Sequence, residues 1–128
     1  MPASFYLCNF TKQETVGNHL PASKASEFLL NPGAGAVALW YLFRNRGDQI
    51  AFVSDWDIQE SRTFFGHDAK VISSFTDKTD ETIAHAIAAG ILEDHGRLWT
   101  DDLAPDTVYV RDIRVNHRPG RTPPDNLH

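Results

Sequence analysis

GAVALWYLFRNRGDQIAFVSD, residues 35–55, changes character halfway along. Up to Arg44 it is apolar on nearly every face of a helix, and no proline interrupts it. Gly47 supplies a helix stop, and Gly47-Asp48 a turn. Ile50 to Val53 is then a short apolar run with β-branched and aromatic residues, long enough for a strand and too short for a helix. The stretch therefore predicts a central buried helix, from about Gly35 to Asn45, feeding directly into a strand.

Working outward, SFYLCNF (4–10) reads as a strand that stops at the polar TKQE, with ETVGN (14–18) as a short return strand. LPASKASEFLLNPG (20–33) reads as a helix. Pro21 or Ser23 opens it, Ala25, Phe28 and Leu29 give its apolar face, and Asn31-Pro32-Gly33 ends it. On the other side, KVISSFTD (70–77) has the composition of a strand. The helix after it is capped by Asp77 or Thr79, and Asp80 and Glu81 suit the positive end of its dipole. Ile83, Ile87 and Ile91 recur every fourth residue, Ala84 and Ala88 flank them, and His85 lies opposite. Gly90 marks its end. ILEDHGRLWT (91–100) resembles a hairpin turning at His95-Gly96, and DTVYVRDIRV (106–115) alternates as a strand.

Strands and helices in this order predict one α+β domain over residues 1–115, a mainly antiparallel sheet packed with about three helices. Residues 116–128 have no core-forming side chain before Leu127 and read as a flexible tail. Helix followed by two strands is also the pattern of a winged helix. Glu93, Asp101, Asp102 and Asp106 would repel phosphates there, and residues 79–91 carry no Lys or Arg.

Composition narrows the function classes. The chain has 128 residues, the size of one domain, and its 41% hydrophobic content is enough for a proper core. Net charge is −5. Four arginines against Asp112 and Asp125 leave +2 from Arg111 onward, and −7 before it. An acidic body disfavours nucleic acid as a partner and suits a basic protein. The longest apolar stretch, Ala34 to Phe43, is about half the ~20 residues of a membrane span, and the N-terminus lacks the basic region of a secretory signal. Cys8, the single cysteine, lies in an apolar run and reads as a buried hydrophobe. One thiol without crosslinks fits a reducing cytoplasm.

Metal and phosphate motifs are lacking. His19, His67, His85, His95, His117 and His128 include no i,i+4 pair, and no Cys-x-x-Cys occurs. Gly33-Ala34-Gly35 at a helix start is neither a dinucleotide fingerprint nor a P-loop. No cofactor and no metal are expected.

The densest chemistry lies in SDWDIQESRTFFGHD, residues 54–68, which has neither helical nor strand period. Two uses fit it. As an acid–base site, His67 would be base or acid, Asp55 or Asp57 would orient it, and Arg62 would hold an oxyanion. As a binding loop, Asp55, Asp57 and Glu60 would steer a basic partner, while Trp56, Arg62 and Phe64 would supply the contact. Trp56 and Phe64 could equally pack inward, which the sequence leaves open.

YLCNFTKQE (6–14), WYLFRNRGDQIAFVSD (40–55), AAGILEDHGR (88–97) and VYVRDI (108–113) resemble a group of small bacterial proteins of uncharacterised function. The likeness spans about two-thirds of the chain and leaves out residues 56–68 and the tail. It implies a bacterial single-domain protein and carries no site residue over. The expectation is a protein-binding module, in concrete form an inhibitor or toxin-neutralising immunity protein, against the alternative of a small enzyme built around His67. A structural subunit or homodimer built through its sheet edge is a third class.

Overall fold

The computed structural model describes residues 4–22 and 24–116. It is an α+β domain whose sheet is built around β1 (Phe5–Asn9). β1 pairs antiparallel with β2 (Glu14–Val16) on one side and with β3 (Ile50–Ser54) on the other. Phe5 opposes Ser54, and Leu7 opposes both Val16 and Phe52. β4 (Thr63–Phe64) and β5 (His67–Asp68) form a separate miniature hairpin. β6 (Thr76–Asp77) adds parallel to β2, giving the order β3-β1-β2-β6 with β3 at one edge. β7 (Leu92–Thr100) and β8 (Tyr109–Val115) pair antiparallel as a second ribbon.

The two-residue period of β1 divides the core. Leu7 and Phe5 face the helices, joining Val16, Val37, Tyr41, Ile83, Leu92 and Ile113. Tyr6, Cys8 and Phe10 face the other way, onto Val53, Ala69, Ile72, Phe64 and Phe75. Each fully buried Leu, Ile or Val contributes roughly 1.5–3 kcal/mol of transfer free energy.

α1 (Ala25–Leu30) and α2 (Pro32–Arg44) are joined through Asn31. The Asn31 side chain accepts the Ala34 N–H at 3.0 Å, and Pro32 takes the first helical position, where no N–H is needed. Gly33 lies so close to β8 that a Cβ there would sit 1.9 Å from the Ile113 carbonyl oxygen. The glycines at this helix start serve close packing, a sufficient reason for them without an anion. α2 is not buried all round as its composition predicts. Gly33, Ala34, Val37, Ala38 and Tyr41 are covered, while Leu39 is 60% and Phe43 66% exposed.

α4 (Thr79–Ala88) starts where expected: Asp77 accepts the Thr79 N–H at 2.9 Å and its hydroxyl at 2.6 Å. Its buried stripe, however, is Thr79, Thr82, Ile83 and Ala86, and Ile87 is 37% exposed. A spacing of four overshoots each turn of the helix by about 40°, so isoleucines four apart drift off one face.

Two other expectations are corrected. Residues 70–77 are not a strand: Ala69–Ser74 is a 3-10 helix and only Thr76–Asp77 pairs. Asp68 caps the Lys70 N–H at 2.9 Å, and the Ser73 and Ser74 hydroxyls donate back to the Lys70 and Val71 carbonyls. His95-Gly96 is not a hairpin turn but an irregularity inside β7, with the register shifting between Asp94 and Arg97. Gly96 has φ +93° and donates to the Asp94 carboxylate at 2.8 Å, as a bulge glycine does. The real turn is 101–108, where Asp101 accepts the Leu103 and Ala104 N–H groups. Asn116 still pairs with Ile91, and the expected tail beyond it lies outside the described residues. No helix among the described residues is long and apolar enough to cross a membrane.

Candidate functional site

The stretch without period, 54–68, is ordered by its own side chains. β3 ends at Ser54, and α3 (Asp55–Gln59) begins at once. The Ser54 hydroxyl oxygen accepts the Asp57 N–H at 3.2 Å. In return the Asp57 carboxylate accepts the Ser54 N–H at 2.8 Å and its hydroxyl at 3.0 Å. This reciprocal box closes the N-terminus of α3 and uses one Asp57 oxygen fully. The other oxygen faces Arg62, 3.4 Å away. Asp57 is therefore buried and structural in its contacts.

Beyond Arg62 the chain makes the β4–β5 hairpin, in which Phe64 opposes His67. Its two tip residues, Phe65 and Gly66, have φ of +52° and +82°, as a type I′ turn requires. That conformation is ordinary for Gly66 and strained for a phenylalanine. Phe10 receives the hairpin: Phe64 stacks on it at 6.0 Å, Phe65 tilts against it at 5.7 Å and His67 stacks at 6.0 Å. Arg62 also lies over the Phe64 ring, 5.7 Å from its centroid.

The residues singled out in the sequence thus separate into two groups. Asp57 and Phe64 turn inward. Asp55, Trp56, Glu60, Arg62 and His67 are exposed, Trp56 by 51%. Asp55 flanks Tyr6, whose hydroxyl is pushed above its ordinary value by burial, with the Asp55 charge adding to the shift. His67 is not assembled with a carboxylate. Among the described residues it makes no hydrogen bond or ion pair with one, and Asp68 is occupied by its cap. The geometry of an acid–base pair is not formed here.

Two concavities were not foreseen. A polar cleft of about 290 Å³ brings Glu14, Tyr41, Lys78, Glu81 and His85 together. The Tyr41 hydroxyl donates to Glu14 at 2.7 Å, and burial, followed by this bond, pushes its pKa well above the usual phenol value. It remains a protonated donor rather than a base. Lys78 and Lys12 at the rim are already paired with Glu81 and Asp48. A larger apolar groove of about 610 Å³ lies between α1, α2 and the helix-facing side of β3. Leu29, Leu39, Leu42, Phe28, Phe52 and Phe5 line it. Its residues are spread over four segments, so no local pattern announces it. The one available signal was the surplus of apolar residues on α2. Among the described residues no three His, Cys, Asp or Glu side chains converge as metal ligands would.

No protein-family model matches the chain, and neither does any curated protein or solved structure.

Proposed function

We propose that the chain is a protein-binding module whose contact face is centred on α3, and that its partner is basic. The observation that supports this reading is Trp56, a large aromatic side chain half exposed beside the exposed carboxylates of Asp55 and Glu60. Its backbone is held rigid by the Ser54–Asp57 box. A rigid aromatic anchor with a charged rim is the composition of an interface hot spot. Phe65 adds to it: a bulky residue held at positive φ against Phe10 and still 47% exposed presents a second aromatic surface. In concrete form this is an inhibitor or immunity-type protein of a bacterial cytoplasm, neutralising a basic partner by covering it. Asp55 and Glu60 would steer association, and Trp56 would desolvate the centre.

The test is affinity capture from host lysate at low and moderate salt with wild-type and Trp56→Ala baits. A stoichiometric basic protein, weakened by salt and lost with Trp56→Ala while the variant keeps its circular dichroism, is the expected outcome. Equal capture by both baits, or no capture at either salt, overturns it.

A further inference from the structure

β3 is an edge strand, and the direction of its free hydrogen-bonding groups follows from its register. Opposed residues of β1 and β3 continue at both ends, where Phe10 donates its N–H to Gln49 at 2.8 Å and Asp55 donates to Ser4 at 3.1 Å. In an antiparallel ladder the bonded pairs alternate. Gln49, Ala51, Val53 and Asp55 thus point at β1, and Ile50, Phe52 and Ser54 point away from the sheet. The outward Ser54 N–H is closed off by Asp57 at 2.8 Å. For the outward groups of Ile50 and Phe52 no partner appears among the described residues.

The same two residues carry their side chains on the helix-facing side. Phe52 meets Phe28 edge-on at 5.4 Å and forms a wall of the apolar groove. The groove and the open edge are therefore one continuous feature. A strand laid along β3 would extend the sheet and drop every second side chain between α1 and α2. The acidic residue at the end of β3 states the charge of what fits. Asp55 is exposed immediately after the strand, in a chain of net charge −5. A strand running antiparallel to β3 brings its N-terminal end to Asp55, so that end is basic.

We propose that the β3 edge and its groove bind an extended segment of a partner protein, with apolar residues at alternate positions and Lys or Arg toward its N-terminal end. The proposal rests on the partner-binding reading above and names the chemistry recognised next to the α3 face.

A phage-displayed random peptide library panned on the whole chain tests it. Enriched peptides should show the alternating apolar pattern with an N-terminal basic residue. Synthesised, they should bind wild type and lose about tenfold or more in affinity with Leu39→Glu, a change at an exposed helix position. Ile50→Pro, which removes an outward N–H and leaves the bonds to β1, should weaken them similarly. On binding, the amides of Ile50 and Phe52 should become protected from hydrogen exchange. No enrichment on wild type over Leu39→Glu overturns the proposal, as does enrichment of peptides with helical apolar spacing. A wild-type dimer in sedimentation that Leu39→Glu dissociates overturns it too, by assigning the groove to a second copy. Peptide binding that survives Trp56→Ala but not Leu39→Glu upholds the groove even where the α3 face fails. Lysate capture lost in Trp56→Ala without peptide enrichment does the reverse.

Discussion

Asp57 and Trp56 are neighbours in sequence with opposite tasks. Asp57 answers two donors of Ser54 and faces Arg62, so Asp57→Ala keeps the Ser54 oxygen as the cap of α3 but leaves the Ser54 N–H and its buried hydroxyl without their acceptor. The expected cost is about 1–3 kcal/mol, visible as a lower urea midpoint with an unchanged slope. Trp56→Ala removes a side chain already half in water, so its urea midpoint should stay close to wild type while partner affinity falls by about 2 kcal/mol or more. If Trp56→Ala unfolds the chain, Trp56 is a core residue and the contact face loses its anchor. Gly33 shows the same principle without chemistry. With the Ile113 carbonyl 1.9 Å from any added Cβ, Gly33→Ala must push α2 off β8. The expected loss is about 1–3 kcal/mol or more, measured by thermal melting.

At the scale of elements, what the sequence made legible was whatever rests on continuous pattern. The apolar strand at 4–10, the 50–53 run and the start of α4 at Asp77 and Thr79 were read correctly, because neighbouring side chains decide them. Residues 70–77 were misread because serine hydroxyls bonding back to the chain outweigh the strand propensity of Val71, Ile72 and Phe75. His95-Gly96 was misread because a glycine at positive φ serves a bulge as well as a turn, and only the partner strand distinguishes them. In 54–68 the residues that the sequence singles out divide by burial, Asp55, Trp56, Glu60 and Arg62 being exposed and Asp57 and Phe64 turned inward, and a stretch without period does not tell the two groups apart. The groove leaves only the surplus of apolar residues on α2 as a trace in the sequence, and the cleft leaves none, since each joins segments far apart in the chain. Element packing gives its own prediction. Tyr41 ties α2 to β2 through its 2.7 Å bond to Glu14, and Tyr41→Phe should cost about 1–2 kcal/mol in urea unfolding.

For the molecule as a whole, the alkaline limit follows from buried acids. Burial pushes the Cys8 thiol from 9.0 up to about 12. The unfolded thiol releases its proton from about pH 9 while the native one holds it, so the unfolded state binds fewer protons and stability falls as pH rises through this window. Tyr6 and Tyr41, both raised from 10.0, act in the same direction at higher pH. The urea midpoint should therefore be level from about pH 7 to about pH 9 and decline toward about pH 12, with Cys8→Ala delaying the onset to about pH 10. The acidic charge that suits a basic partner is also a whole-molecule property, and with the rigid α3 face it carries the functional account. The most direct measurement is hydrogen exchange on the chain with and without its captured partner. Protection concentrated in residues 50–65 is the predicted footprint. Protection centred on the Tyr41–His85 cleft or on β7 and β8, with 50–65 unchanged, would contradict the account.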